Sequence, residues 1–302
     1  MIASLDDYRT QSEWTDPGPF ADRVREIPPD PVAVVRAVSG FLMHPMLAPM
    51  RGVAVPERAI GDRLVRSTEG ILARVLARDG RPLTQERPPE ARAFPVCAGF
   101  ARVATAVFRA HGVPARCRVG FAAYFDPGHF EDHWVAEVWR GSAWQLLDAQ
   151  LDRETTASLA AAFRPHDVPR GQFLDASTAW RRMRAGDIDP GRLGLSPLGL
   201  TGAWFAAGNV MLDAAALNKE EMLPWEKWSI GRELVRGSEV PEPWAERFDG
   251  VAAQLAGAPD AATAARVYRE SDWLRVTPTV LSFGDGEPVE LPIHEPSAAR
   301  AT

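Results

Sequence analysis

Apolar residues recur at helical spacing in three stretches of the first third of the chain and at strand spacing just after them. Residues 31 to about 46, PVAVVRAVSGFLMHPM, keep close to a 3.6-residue period and run into Pro45, which predicts one packed helix. From about 60 to 79, AIGDRLVRSTEGILARVLARD sets Ile60, Leu64, Ile71, Leu72, Val75 and Leu76 on one stripe, with Gly80 as a stop. This predicts an amphipathic helix. The Pro-interrupted RPLTQERPPEARAFPV predicts an ordered loop, and CAGFARVATAVFRAHG reads as a third helix that opens on Cys97 and closes at Gly112 and Pro114.

At Arg116 the period becomes that of strands. ARCRVGFAAYF, HWVAEVWR and AWQLLDAQL follow one another, with Asp126, Pro127 and Gly128 in the first connection and Gly141 and Ser142 in the second. A helix followed by an antiparallel meander is an α+β layout. Beyond about 153 helical patterns return around LTGAWFAAGNVMLDAAALNKEEM, PWEKWSIGRELVRG and DAATAARVYRESDWLRV. The expected organisation is an N-terminal helical extension (1–59), a central core (60–175) and a helical C-terminal region with a Pro-rich tail (176–302).

Composition narrows the functional classes. The 40 acidic and 34 basic residues, net charge -6, are interspersed without a basic block, so neither a nucleic-acid partner nor a polybasic membrane contact is expected. No run approaches the roughly 20 apolar residues of a membrane span, and the acidic, Pro-broken N-terminus is unlike a signal peptide. A cytoplasmic protein is expected. Two cysteines, Cys97 and Cys117, do not make a disulfide scaffold, so each thiol needs its own account.

A nucleophilic Cys needs a stabilised thiolate, and the first turn of a helix offers unpaired N–H groups and the positive end of the dipole. Cys97 is placed for that. Gln85, in the preceding loop, is the candidate for a second oxyanion donor. A Cys opening a helix is commonly a small buried residue, so its partners decide. The hairpin around Gly141 and Ser142 sets Trp139 opposite Trp144 and Val135 opposite Asp148, whether its loop has two residues or four. His133 then shares a face with Asp148 one diagonal step away, within reach of a hydrogen bond. Cys97, His133 and Asp148 thus supply a nucleophile, a general base and the group that orients it.

PVCAGFARVATAVFRAHGVPARCRVGF followed by DHWVAEVWRGSAWQLLDAQLD resembles the core of the transglutaminase-like superfamily, over roughly residues 90 to 152. The resemblance implies a papain-like fold, with Cys97, His133 and Asp148 on the family's triad positions and thiol acyl chemistry as the reaction class. Trp134 replaces the small residue usual after the His, and Ala149 the usual Pro after the Asp. The expected substrates are a peptide, a protein or a small amide or amine, and no metal or organic cofactor is required.

The remaining features are secondary. Cys117, between Arg116 and Arg118 in a strand, is expected to be an inward structural thiol. His129, with Glu131, Asp132 and His133 close by, lies in a loop entering a strand rather than on a helix face, so no metal site is expected. His129 and Trp134 are candidates for the substrate cleft, although Trp134 falls on the opposite strand face from His133. Residues 202–240, with Trp225, Trp228 and the patch Asn218 to Glu221, are read first as core packing, with a cap over the cleft as the alternative. The leading function is thiol-dependent acyl transfer or hydrolysis at an amide-type bond. The alternative is a catalytically silent peptide-binding or scaffolding module.

Overall fold

The computed structural model describes residues 2, 4–159, 161–284 and 286–294. In chain order its elements are α1 (Ala21–Arg25), α2 (Pro31–Phe41), α3 (Thr68–Arg78), α4 (Cys97–Ala110), β1 (Ala115–Ala122), β2 (Phe130–Trp139), β3 (Trp144–Leu147) and α5 (Arg153–Ser158). They continue with β4 (Phe173–Asp175), α6 (Ala176–Arg184), β5 (Leu193–Leu195), β6 (Leu200–Thr201), α7 (Ala203–Leu217), β7 (Glu226–Lys227), α8 (Glu242–Leu255), α9 (Ala261–Glu270), β8 (Thr279–Ser282) and β9 (Val289–Pro292). The fold is α+β.

The first predicted helix starts where its sequence says, with the Asp30 carboxylate accepting from the N–H groups of Val32 and Ala33 ahead of Pro31. It ends at Phe41, short of Pro45, because Leu42 leaves the helix to bridge Ala93. The second predicted helix is a correction. Residues Glu57–Leu64 form a 3-10 helix with Ile60 exposed, and α3 begins only at Thr68, capped by Ser67. Between them Arg66 is drawn out to Glu226 (2.5 Å) and the Pro292 carbonyl (2.7 Å), and this pull interrupts the stripe.

Helix α4 is buried at every position from Cys97 to Arg109. Phe100, Val103, Ala104 and Val107 pack with α2 and α3, while Cys97, Ala98 and Ala101 join a cluster with β1, β2 and α7. The main sheet runs β4-β1-β2-β5-β6, with β3 also on β2. All its pairings are antiparallel except β2 with β5. Trp139 faces Trp144 across the hairpin, their rings 5.5 Å apart edge to face. The C-terminal region is not purely helical. It contributes β5 and β6 to the main sheet, and β7, β8 and β9 form a second sheet within it.

Cys117 is buried as expected, against the Thr105 hydroxyl of α4 at 3.4 Å. Its neighbours depart from the expected alternation, because Arg116 and Arg118 are buried as well. Arg118 makes a two-pronged bond to Asp213 of α7, both at 3.0 Å, and reaches Glu137 at 3.3 Å. Arg116 bonds Glu137 at 2.8 Å and lies over the Trp144 ring at 4.0 Å. A buried charge is tolerable only when paired in this way. The β1 arginines are therefore internal ties between the sheet and the C-terminal segments. Among the described residues no helix is long and apolar enough to cross a membrane.

Candidate active site

Two strands share one edge of β2 without meeting. β5 pairs with Phe130 and Glu131, β3 pairs from Ala136 to Trp139, and the stretch between has no strand partner on that edge. The start of α4 sits against this gap, with the backbone N–H groups of Trp134 and of Ala98 directed at the Cys97 sulfur. The approach to the helix is tight. A Cβ on Gly99 would lie 2.6 Å from the Pro95 side chain, so a glycine two residues after the Cys lets the chain turn from Pro95 into α4.

His133 lies next to Trp134 on β2. Its Nε2 is 2.8 Å from Asp148 Oδ2, which also accepts from the Tyr124 hydroxyl at 2.7 Å. Asp148 Oδ1 accepts from the Gln150 N–H at 2.9 Å. Three hydrogen bonds to one buried carboxylate fix its position and that of the imidazole, and Nε2 must carry its proton to donate. Nδ1 is left as the basic nitrogen. Phe125 stands edge-on to the imidazole at 4.9 Å and Tyr124 at 6.0 Å, which restricts the ring further.

Cys97 and His133 open into one cavity of about 920 Å³. Burial is the main influence on its titrating groups. It pushes the Cys97 thiol above its ordinary range, aided by the negative charge of Asp132, while the two N–H groups at the sulfur oppose the shift. The net direction favours the thiol over the stabilised thiolate that the helix start alone predicts. Burial also raises Asp132 to about 6 against its hydrogen bond from Asn209, and lowers Lys227 to about 8 against the attraction of Asp132. His44 falls to about 3 through burial and then the charge of His133, so it is neutral. Its Nδ1 accepts from the Met46 N–H at 3.3 Å, which puts its proton on Nε2.

His133 is hydrogen-bonded to Asp148 and lines the same cavity as Cys97, and the other candidates lie apart from them. Gln85 is exposed on the loop before α4 and does not line the cavity, so it is no oxyanion donor here. Its loop is held away by Arg87, buried among the carbonyls of residues 79–85. The Trp134 side chain is in the core rather than the cleft, as its strand parity requires, and only its N–H serves the site. His129 lies outside the cavity lining and pairs with Asp126 at 3.1 Å. Asp126, His129 and Glu131 bring potential ligand atoms within 4.8 Å of one another, but His133 has turned away to Asp148, and Glu131 accepts from the Ser196 N–H at 3.0 Å and from its hydroxyl.

Residues 202–240 do wall the cavity, through Trp204, Met211, Trp225 and Trp228 among others. The polar patch within them does not, since Glu221 is buried against Arg109 and Ser12. Tyr124 and His44 are absent from the sequence reading. Tyr124 had a signal, because alternation from Gly120 through Ala122 carries it to the face of His133. His44 had none nearby, since the Leu42 to Ala93 bridge is what delivers it.

Residues 81–149 match the family model described as the Transglutaminase-like superfamily. A search of curated proteins gives no match. Among solved structures, a "Putative Cysteine Protease from Cytophaga hutchinsonii" is similar at 16% identity and a TM-score of 0.33, over 56% of this chain and 44% of that one. The likeness thus spans less than half of that protein's length.

Proposed function

We propose, for a chain whose residues 81–149 match the transglutaminase-like superfamily, thiol-dependent acyl transfer or hydrolysis at an amide-type bond. The observation that carries this reading is the hydrogen bond of 2.8 Å from His133 Nε2 to Asp148, in the cavity that Cys97 also lines. With Nε2 held, Nδ1 takes the thiol proton as the sulfur attacks the acyl carbon, and then gives it to the departing amine. Water or a second amine attacks the resulting thioester and passes a proton to Nδ1, which returns it to the sulfur. Because burial favours the thiol form of Cys97, proton transfer accompanies attack. The developing oxyanion would meet N–H groups of the first turn of α4 and the Nε2–H of neutral His44.

The test is acylation by p-nitrophenyl acetate, read as a burst of nitrophenol and as acetyl mass on the Cys97 peptide. The expected result is modification of Cys97 with Cys117 untouched, since Cys97 lines the cavity while Cys117 is sealed in the core outside its lining, and loss of the burst in Cys97→Ser and His133→Ala. A Cys97 that stays unmodified, or that is acylated equally well without His133, refutes the reading. The catalytically silent module would then be favoured.

A further inference from the structure

We infer that the acyl donor is a small molecule with an extended apolar body, not a glutamine side chain on a polypeptide. This rests on the acyl chemistry proposed for Cys97 and names its substrate class. A volume of about 920 Å³ lies near the top of the range of roughly 300–1,000 Å³ in which proteins enclose drug-sized ligands. The walls include Trp204, Met211, Leu212, Trp225 and Trp228. Two of the acidic groups at the lining are already engaged by protein: Glu226 by Arg66 and the Leu223 N–H, and Glu131 by Ser196. What the walls present is largely apolar surface. A bound peptide would need partners there for each backbone N–H and C=O, and an alkyl or aryl group needs none.

The surface points the same way. Among the described residues eight large apolar side chains are exposed, and four of them, Met46, Met50, Leu198 and Val235, also line this cavity. Exposed apolar residues gathered at one opening mark a ligand entrance, where the same residues scattered singly would mean nothing. Methionines at such an entrance adapt to differently shaped apolar groups.

Gly208 gives the inference a handle. It lies inside α7 at the cavity wall, and a Cβ there would have the Lys227 ammonium at 3.7 Å as its nearest neighbour. Gly208→Leu therefore fits the helix and fills cavity. The experiment measures kcat/KM for p-nitrophenyl esters from acetyl to decanoyl and, in Cys97→Ala, the Kd of alkyl amides of matching length by calorimetry.

At about 0.8 kcal/mol per buried CH₂, each added methylene is expected to improve both quantities about fourfold until the cavity is full. Gly208→Leu is expected to lower the decanoyl to acetyl ratio at least tenfold. A flat chain-length series, or a higher kcat/KM for acetyl-Gln-Gly amide than for the alkyl esters, overturns the inference. If Cys97 is never acylated while the amides still bind in graded fashion, the proposed reaction fails and the ligand class stands.

Discussion

Asp148→Asn separates an oriented His133 from a merely adjacent one. The wild-type carboxylate accepts three hydrogen bonds, from Tyr124, His133 and the Gln150 N–H. An amide has one oxygen and cannot accept all three. If its oxygen faces Tyr124 and His133, its NH₂ confronts the Gln150 N–H, leaving buried donors unpaired at a cost of about 1–3 kcal/mol in stability. If its oxygen faces Gln150, its NH₂ donates to His133 Nε2. The His133 proton must then move to Nδ1, where it points at Cys97 and cannot receive the thiol proton. Fixing the wrong tautomer in this way costs on the order of 10⁴ in kcat in a serine-protease triad, about 5 kcal/mol in barrier. The assay is kcat/KM on an activated ester beside the urea midpoint. Tyr124→Phe, which removes a donor and spares the acceptor, serves as the control, with an expected loss of about tenfold. If Asp148→Asn stays within tenfold of wild type, or Tyr124→Phe is the more damaging of the two, the hydrogen-bond count behind the triad is wrong.

His44→Ala is expected to lower kcat about 100-fold while leaving the rate of Cys97 alkylation by iodoacetamide intact, because alkylation forms no oxyanion; partial recovery in His44→Gln would mark a donor rather than a packing role. Asp132 is raised from 3.8 to about 6, so the folded chain holds that proton more tightly than the unfolded one, and stability falls as pH rises from about 4 to 6. Asp132→Asn is expected to abolish that fall and to gain about 1–2 kcal/mol at pH 7, the cavity's water moderating the shift, as read from urea midpoints across the window. Asp213→Ala strips the two-pronged partner from buried Arg118 and is expected to lower stability by about 3 kcal/mol, with Glu137 partly compensating; an unchanged melting temperature would contradict the burial of that pair.

The sequence carried the His133–Asp148 pair for a physical reason: strand parity is local, and one hairpin fixed the relation of the two residues once Trp139 faced Trp144. The paired ladder stops at Leu147, yet the parity argument holds one residue beyond it, because Asp148 continues the strand's direction while its N–H goes to Pro165. Features that failed to show were those made by distant chain. Nothing in ARCRVGF says that its arginines are buried, since their acids lie in β2 and α7. The stripe from Ile60 was broken by a pull from Glu226 and Pro292, more than a hundred residues away. Gln85 misled because nearness in sequence stood in for nearness in space.

Those buried arginines bear on which length of chain can stand alone. Asp213, which neutralises Arg118, and Glu221, which neutralises Arg109, both lie beyond residue 149, where the family match ends. Excised at those limits, the segment would keep Cys97, His133 and Asp148 but would have to bury cations whose counter-charges had been cut away. Helix α7 and the segment just after it thus supply the electrical neutrality of the interior, and a stable fragment is expected to need the chain at least to Glu221.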